Sequence, residues 1–140
     1  MSFLSSLNIS ASALTAQRMR MDVISENIAN ADTTRTENGG PYRRRVSVLA
    51  EQPQTFSSVM SKATGGGVVV SQIVEDMSDF EYEYDPDHPD ADEMGYVAKP
   101  NVDEAREIID LMSATRSYEA NVTALNATKS IAMKALEIGR

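Results

Sequence analysis

Hydrophobic positions along the chain form two long helical stripes separated by a polar, turn-rich middle. Neither Gly nor Pro occurs from Met1 through Asn38, or again from Asn101 through Ile138. In the first run, apolar residues recur at Leu4, Leu7, Ala11, Leu14, Met21, Ile24, Ile28 and Ala31. Steps of three and four hold such positions on one helical face, with Arg18 as a polar interruption. Asn30-Ala-Asp-Thr-Thr follows, residues that favour caps and turns over a helix interior. The last run is introduced by Pro100, with Asn101 as the expected N-cap and Glu104 in capping-box position. Asp103 adds negative charge to the first turn, and Lys134 and Arg140 stand near the far end, as the helix dipole favours. Gly139 fits a residue just past the helix. A helix of about 37 residues would be roughly 55 Å long. Its stripe reads Ile108, Leu111, Thr115, Tyr118, Val122, Leu125, Ala132 and Leu136, close to a coiled-coil repeat that Lys129 breaks.

The middle reads as short strands and loops. Tyr42 to Ala50 alternates, with Tyr42, Val46, Val48 and Ala50 on one side. Gly65-Gly66-Gly67 marks a loop ahead of a β-rich Val68 to Val74. Phe80, Tyr82 and Tyr84 alternate with Asp79, Glu81 and Glu83, the pattern of a half-buried strand. Asp85-Pro-Asp-His-Pro-Asp is a turn cluster. The expected fold is mainly α with a small β-rich middle (α+β), its long terminal helices paired as a coiled-coil-like element. Residues 1–34 with 101–140 would form the helical part and 35–100 the β-rich part. Two helices with so small a sheet between them lack a large core, which makes other subunits the expected cover for their apolar stripes.

Charge sharpens this division. The net charge is −8, yet residues 1–50 carry +2, residues 51–104 carry −11 and residues 105–140 carry +1. The helical ends are nearly neutral and the acidity belongs to the middle. Such a chain is a poor general binder of phosphate backbones; no nucleic acid is expected, and Arg43, Arg44 and Arg45 are too short a basic cluster to change that. These arginines read as exposed charges available to acidic surfaces of neighbouring subunits. The chain has no cysteine, so disulfides and thiolate metal sites are excluded. No apolar run is long enough to span a membrane, and the opening residues lack the basic and apolar regions of a cleaved signal peptide. Any passage out of the cytoplasm is therefore expected to use another signal.

Candidate chemistry is sparse. His88 is the only histidine, placed in Pro86-Asp87-His88-Pro89 without an evident nucleophile, and reads as a solvated loop residue. Asp85, Asp87, Asp90, Asp92 and Glu93 suggest a hard cation, but no calcium-loop register fits. Starting at Asp90 puts Gly95 in the glycine position but Met94 and Asn101 where oxygen ligands belong. No phosphate-loop, dinucleotide-binding or zinc-protease pattern occurs. Met19, Met21, Met112 and Met133 read as packing filler on helices, and the first helix has too few basic residues for a membrane-surface element. The expectation is a protein with no catalytic, cofactor or metal site and no membrane insertion. A coiled-coil adaptor forming a discrete oligomer remains an alternative on periodicity alone.

Two segments go beyond periodicity. Leu7-Asn-Ile-Ser-Ala-Ser-Ala-Leu-Thr-Ala-Gln, followed by Ile24-Ser-Glu-Asn-Ile-Ala-Asn-Ala-Asp-Thr-Thr, resembles the N-terminal signature of flagellar axial proteins, the rod, hook and hook-associated subunits. Arg116-Ser-Tyr-Glu-Ala-Asn, running to Lys134-Ala-Leu-Glu-Ile-Gly-Arg, resembles their C-terminal partner helix. Gly39-Gly-Pro-Tyr-Arg-Arg-Arg and Asp85-Pro-Asp-His-Pro-Asp-Ala-Asp are similar to proximal-rod members of that family. The resemblance implies a subunit of the basal-body rod that crosses the periplasm, exported unfolded by the flagellar type III apparatus without signal cleavage. Its implied partners are itself, other rod proteins, basal-body ring components and the export apparatus. The terminal helices would pair around the central channel, with Leu7, Leu14, Ile24, Ile28, Ile108, Leu111, Tyr118, Val122 and Leu125 as the assembly interface.

Overall fold

The structure, a computed structural model, describes residues 3–37, 39–52 and 66–138. Gly65, Gly139 and Arg140 lie outside these. The element order is α1 (Phe3–Ala29), β1 (Arg45–Glu51), β2 (Val68–Glu75), β3 (Glu81–Tyr84), β4 (Tyr96–Lys99) and α2 (Glu104–Ile138). The two helices pack against each other and the strands form two separate two-stranded antiparallel sheets, β1–β2 and β3–β4. The mainly helical fold with a small β middle is the one expected.

Asn30 ends α1: its amide bonds back to Glu26, and its carboxamide oxygen accepts from the Thr33 hydroxyl. The start of α2 departs from expectation. Asp103, not Asn101, caps the helix, its carboxylate accepting from the Arg106 N–H at 3.1 Å and its carbonyl from the Glu107 N–H. The Asn101 side chain is occupied elsewhere, accepting from the Arg44 N–H at 2.8 Å and donating to Asp76 and Ser78. Capping passed to the next suitable residue because the first was already engaged across the fold.

Strand β1 begins at Arg45 and leaves Tyr42 in the preceding loop, where it is buried. Its pairing with β2 slips at Val48/Leu49: β2 carries an extra residue, Ser71, whose hydroxyl donates to the Val48 carbonyl. The β1–β2 sheet lies on α1. The contact is close at Gly67, whose φ of +79° suits glycine, and a Cβ there would sit 2.6 Å from Ser12 Oγ. The next residue uses that closeness, the Val68 N–H donating to the same hydroxyl at 3.0 Å.

Helix α1 is thus covered from two sides, by α2 and by the first sheet. Among the described residues, the buried side chains include Ala16, Val23, Ile24, Asn27, Tyr42, Val97, Pro100, Glu107 and Ala114. Small residues stand among them, and Ala114, fully buried, lets the helices approach closely. The expected half-burial of the tyrosine strand is not observed. Every residue of β3 is exposed, with Tyr82 and Tyr84 67% and 64% accessible. Across the pairing, Val97 on the opposite face is the residue the fold buries.

Candidate assembly interface

The helix pair is antiparallel. Asn27 near the end of α1 meets Glu107 near the start of α2, Arg20 faces Asp110, and the Thr115 hydroxyl lies 3.6 Å from the Met21 sulfur. Of the residues expected at the interface, Ile24 is buried, and Leu7, Leu14, Ile28, Leu111, Tyr118, Val122 and Leu125 are half-buried. Ile108 is 48% exposed. Glu107 takes the inward position beside it, one turn before Leu111 and two before Ala114.

Glu107 was not singled out from sequence, and it organises the junction between helices and sheets. Its carboxylate is fully buried and accepts from Arg44 Nε at 2.7 Å, Arg44 Nη2 at 2.6 Å and Asn27 Nδ2 at 3.0 Å. Asn27, equally buried, uses its whole amide: Oδ1 accepts from the Tyr42 hydroxyl at 3.0 Å and the Arg45 N–H at 2.9 Å. Its Nδ2 donates to the Arg45 carbonyl at 2.8 Å as well as to Glu107. Arg44 also faces Asp76 and Asp110, at 3.6 and 3.7 Å. This clasp ties α1, the 42–45 segment, the Asp76 turn and α2 into one hydrogen-bonded unit. Buried charge is tolerable because each partner is satisfied.

The reading of Arg43, Arg44 and Arg45 as charges exposed to neighbouring subunits is therefore corrected. Arg44 is held by the clasp, Arg43 lies 4.2 Å over the Phe80 ring and donates to the Asp76 and Ser78 carbonyls, and Arg45 pairs with Glu26 at 2.8 Å. Their acidic partners are 19 to 66 residues away in sequence, so no local pattern announces them. Gly39-Gly-Pro leads this basic segment to the junction.

Burial raises the Tyr42 phenol above its ordinary value, with Glu26 adding to the effect and Arg45 opposing it. Hydrogen bonds from Ser78, with Arg44 nearby, hold the Asp76 carboxyl below its ordinary value. The signs are opposite. A raised phenol contributes stability that is complete below its unfolded value near 10 and lost as pH rises through the folded value. The Asp76 contribution is present above the unfolded carboxylate value and disappears on acidification. The expected result is a thermal midpoint that falls as pH rises beyond about 10, with a shallower fall in Tyr42→Phe than in the parent. Identical alkaline slopes would remove Tyr42 from the clasp.

The acidic loop is self-engaged. Asp92 accepts from the N–H groups of Met94 and Tyr96, both at 2.8 Å, and Asp90 accepts from the Thr34 hydroxyl and pairs with Arg35. His88 Nδ1 accepts from the Asp90 N–H. These carboxylates cap turns and tie the loop to the end of α1. Among the described residues, no cluster of three or more His, Asp or Glu side chains converges as a cation site, and no helix is long and apolar enough to cross a membrane.

Known families match this chain at both ends. The family described as "Flagella basal body rod protein" matches residues 7–35, which hold Asn27. That described as "Flagellar basal body rod FlgEFG protein C-terminal" matches residues 93–138, which hold Glu107. A flagellar basal-body rod protein FlgC of Bacillus subtilis is 58% identical, covering 96% of this chain and 97% of its own. Its counterpart in Borreliella burgdorferi is 43% identical, over 99% and 98%, and one in Escherichia coli is 41% identical over the whole of both chains. With both helices, the β middle and the basic segment inside these alignments, the chain belongs to the FlgC family of flagellar basal-body rod proteins.

Proposed function

We propose that this structural rod subunit builds the proximal rod by helical self-assembly with other rod proteins, forming drive shaft and export channel together. In this reading residues 1–34 and 101–140 make the inner assembly domain, and residues 35–100 lie outside it. The seam residues Leu7, Leu14, Ile24, Ile28, Ile108, Leu111, Tyr118, Val122 and Leu125 pack within and between subunits. Ring components and the type III export apparatus are the further partners. A monomer with little core of its own suits passage unfolded, because ordering the helices is coupled to burial against neighbours.

One observation carries the proposal. Thirty-one residues of α2 follow Glu107, whereas twenty-four of α1 precede Asn27. In antiparallel register α2 therefore runs about seven residues, roughly 10 Å, beyond Phe3. Leu136 continues the row of Tyr118 and Leu125, yet it is 75% exposed, and Ile131, Met133 and Ile138 are 68%, 55% and 86% exposed. A seam that continues past its partner calls for cover from another subunit, and a head-to-tail contact that does not close on itself generates a helix.

Leu136→Asp tests this directly. The residue touches little in the monomer, so the thermal midpoint of the purified protein is expected to stay within about 2 °C of the parent. Rod assembly and swimming are expected to be lost. Swimming at the parental rate would contradict the proposal.

A further inference from the structure

The seam between the two helices repeats itself. On α1 the half-buried Leu7, Leu14, Met21 and Ile28 stand seven residues apart, and on α2 so do Leu111, Tyr118, Leu125 and Ala132. A slide of seven residues, about 10 Å, therefore sets the same kinds of side chain against each other again. Among the described residues of α2, Ala114 is the one buried apolar side chain, so close packing opposes such a slide at a single point. Of the described elements, α2 packs on α1 alone, and the sheets do not fix its position along the pair.

The polar ties at the start of α2 do not repeat. Glu107 accepts from Arg44 Nε and Nη2 and from Asn27 Nδ2, and six residues earlier Asn101 accepts from the N–H of the same arginine. Both therefore hold α2 to Arg44, in a segment that Asn27 fastens to α1 through Tyr42 and Arg45. A slide either way puts Ala114 or Pro100 in the place of Glu107, and neither side chain can accept from Arg44 or Asn27. Buried donors and a buried carboxylate would be stranded. Asp110, at 3.7 Å from Arg20 and from Arg44, is too exposed to discriminate strongly between alignments. Apolar side chains of like volume often replace a buried ion pair without loss of stability, whereas one buried polar group can fix the alignment of a coiled coil.

We propose that the ties of Glu107 and Asn101 to Arg44 are a register device. They select one alignment of α2 along α1 and thereby fix how far α2 projects. That projection past Phe3 is about seven residues, one repeat of the seam. A slide one way withdraws it and a slide the other way doubles it, so a misaligned subunit offers its neighbour the wrong end. The consequence for assembly rests on the rod reading above; the alignment itself belongs to the single chain.

Disulfide formation reads the alignment in the purified full chain, which has no native cysteine. The Thr115 hydroxyl lies 3.6 Å from the Met21 sulfur, and Ile108 and Val122 stand seven residues to either side of Thr115. Met21→Cys with Thr115→Cys is expected to close within the chain on mild oxidation. Met21→Cys with Ile108→Cys, or with Val122→Cys, is expected to stay open, because a disulfide needs its Cα atoms within about 7 Å. The same pairs are then placed in a chain carrying Arg44→Met, Asn101→Ala and Glu107→Met, in which Asn27 keeps its bonds to Tyr42 and Arg45. There at least one displaced pair is expected to close, and the triple variant without added cysteines is expected to keep its helical content and lose swimming. Arg44→Met with Glu107→Met, which retains Asn101, takes its place if the triple variant does not melt cooperatively. Closure of a displaced pair in the parent, or of neither in a folded variant, overturns the proposal and leaves alignment to the packing around Ala114. Normal swimming of a variant whose displaced pair closes overturns the link to assembly. Failure of the rod reading shows separately, as normal swimming of Leu136→Asp, and leaves the disulfide pattern untouched.

Discussion

Arg44→Ala is expected to lower the thermal midpoint by roughly 10 °C, more than any other single truncation at the junction. Among the described residues, the arginine is the only cation paired with Glu107, whose side chain is 1% exposed. Its removal leaves a buried carboxylate facing Asn27 alone, with Asp76 and Asp110 near it and less positive charge to balance them. Breaking a buried pair by deleting one partner costs about 3–5 kcal/mol. Arg44 keeps a fifth of its side chain exposed, so the lower part of that range applies. For a chain of this length each kcal/mol shifts the midpoint by roughly 3–4 °C. The double replacement Arg44→Met with Glu107→Met removes both charges and keeps the volume, and is expected to be markedly less damaging than Arg44→Ala. Circular dichroism melts of the three proteins decide the matter. An Arg44→Ala midpoint within about 2 °C of the parent would mean the clasp is not what joins helices to sheets.

Val122→Asp and Leu125→Asp are each expected to abolish rod assembly and motility. Both residues are half-buried along α2, in the stretch where α1 is still alongside. A carboxylate there forfeits about 1.5–3 kcal/mol of apolar burial and is partly desolvated. In a repeating assembly that loss recurs at every subunit, so growth fails even where a single contact would survive. Ile108→Asp is the informative contrast. It is 48% exposed because Glu107 occupies the inward position, and its monomer midpoint is expected to fall less than that of either deeper variant. Normal swimming of Val122→Asp or Leu125→Asp, with the variant present in basal bodies, would remove the seam from the assembly.

Both terminal helices were legible because absence of Gly and Pro and recurrence of apolar residues are local signals. Their ends were less so. Asn101 and Asp103 are both good caps, and the choice was made by Arg44 and Ser78, which claim the Asn101 side chain from 57 and 23 residues away. The tyrosine alternation announced a strand but not its burial: every residue of β3 is exposed, and the buried position is Val97 on the partner strand. The arginine triplet reads as solvated because charge runs usually are, and Glu107 as one more polar residue of a helix. A usable signal was present: Glu107 stands in step with Ala114, Tyr118 and Leu125, an acid placed in a seam row. Asn27 gave a weaker one, as a carboxamide next to Ile24 and Ile28 on the inward side of α1. Neither names its partner. Contacts across 63 and 80 residues become visible only once the chain is folded.

The overhanging end of α2 provides the most direct test of the assembly mechanism. Leu136→Cys introduces a single thiol into a chain that has none. The rate of its maleimide labelling is to be compared between purified monomer and isolated basal bodies. Rapid labelling of the monomer and strong protection in the rod are expected, since a neighbouring subunit then covers that side chain. Equal labelling in both states would contradict the account.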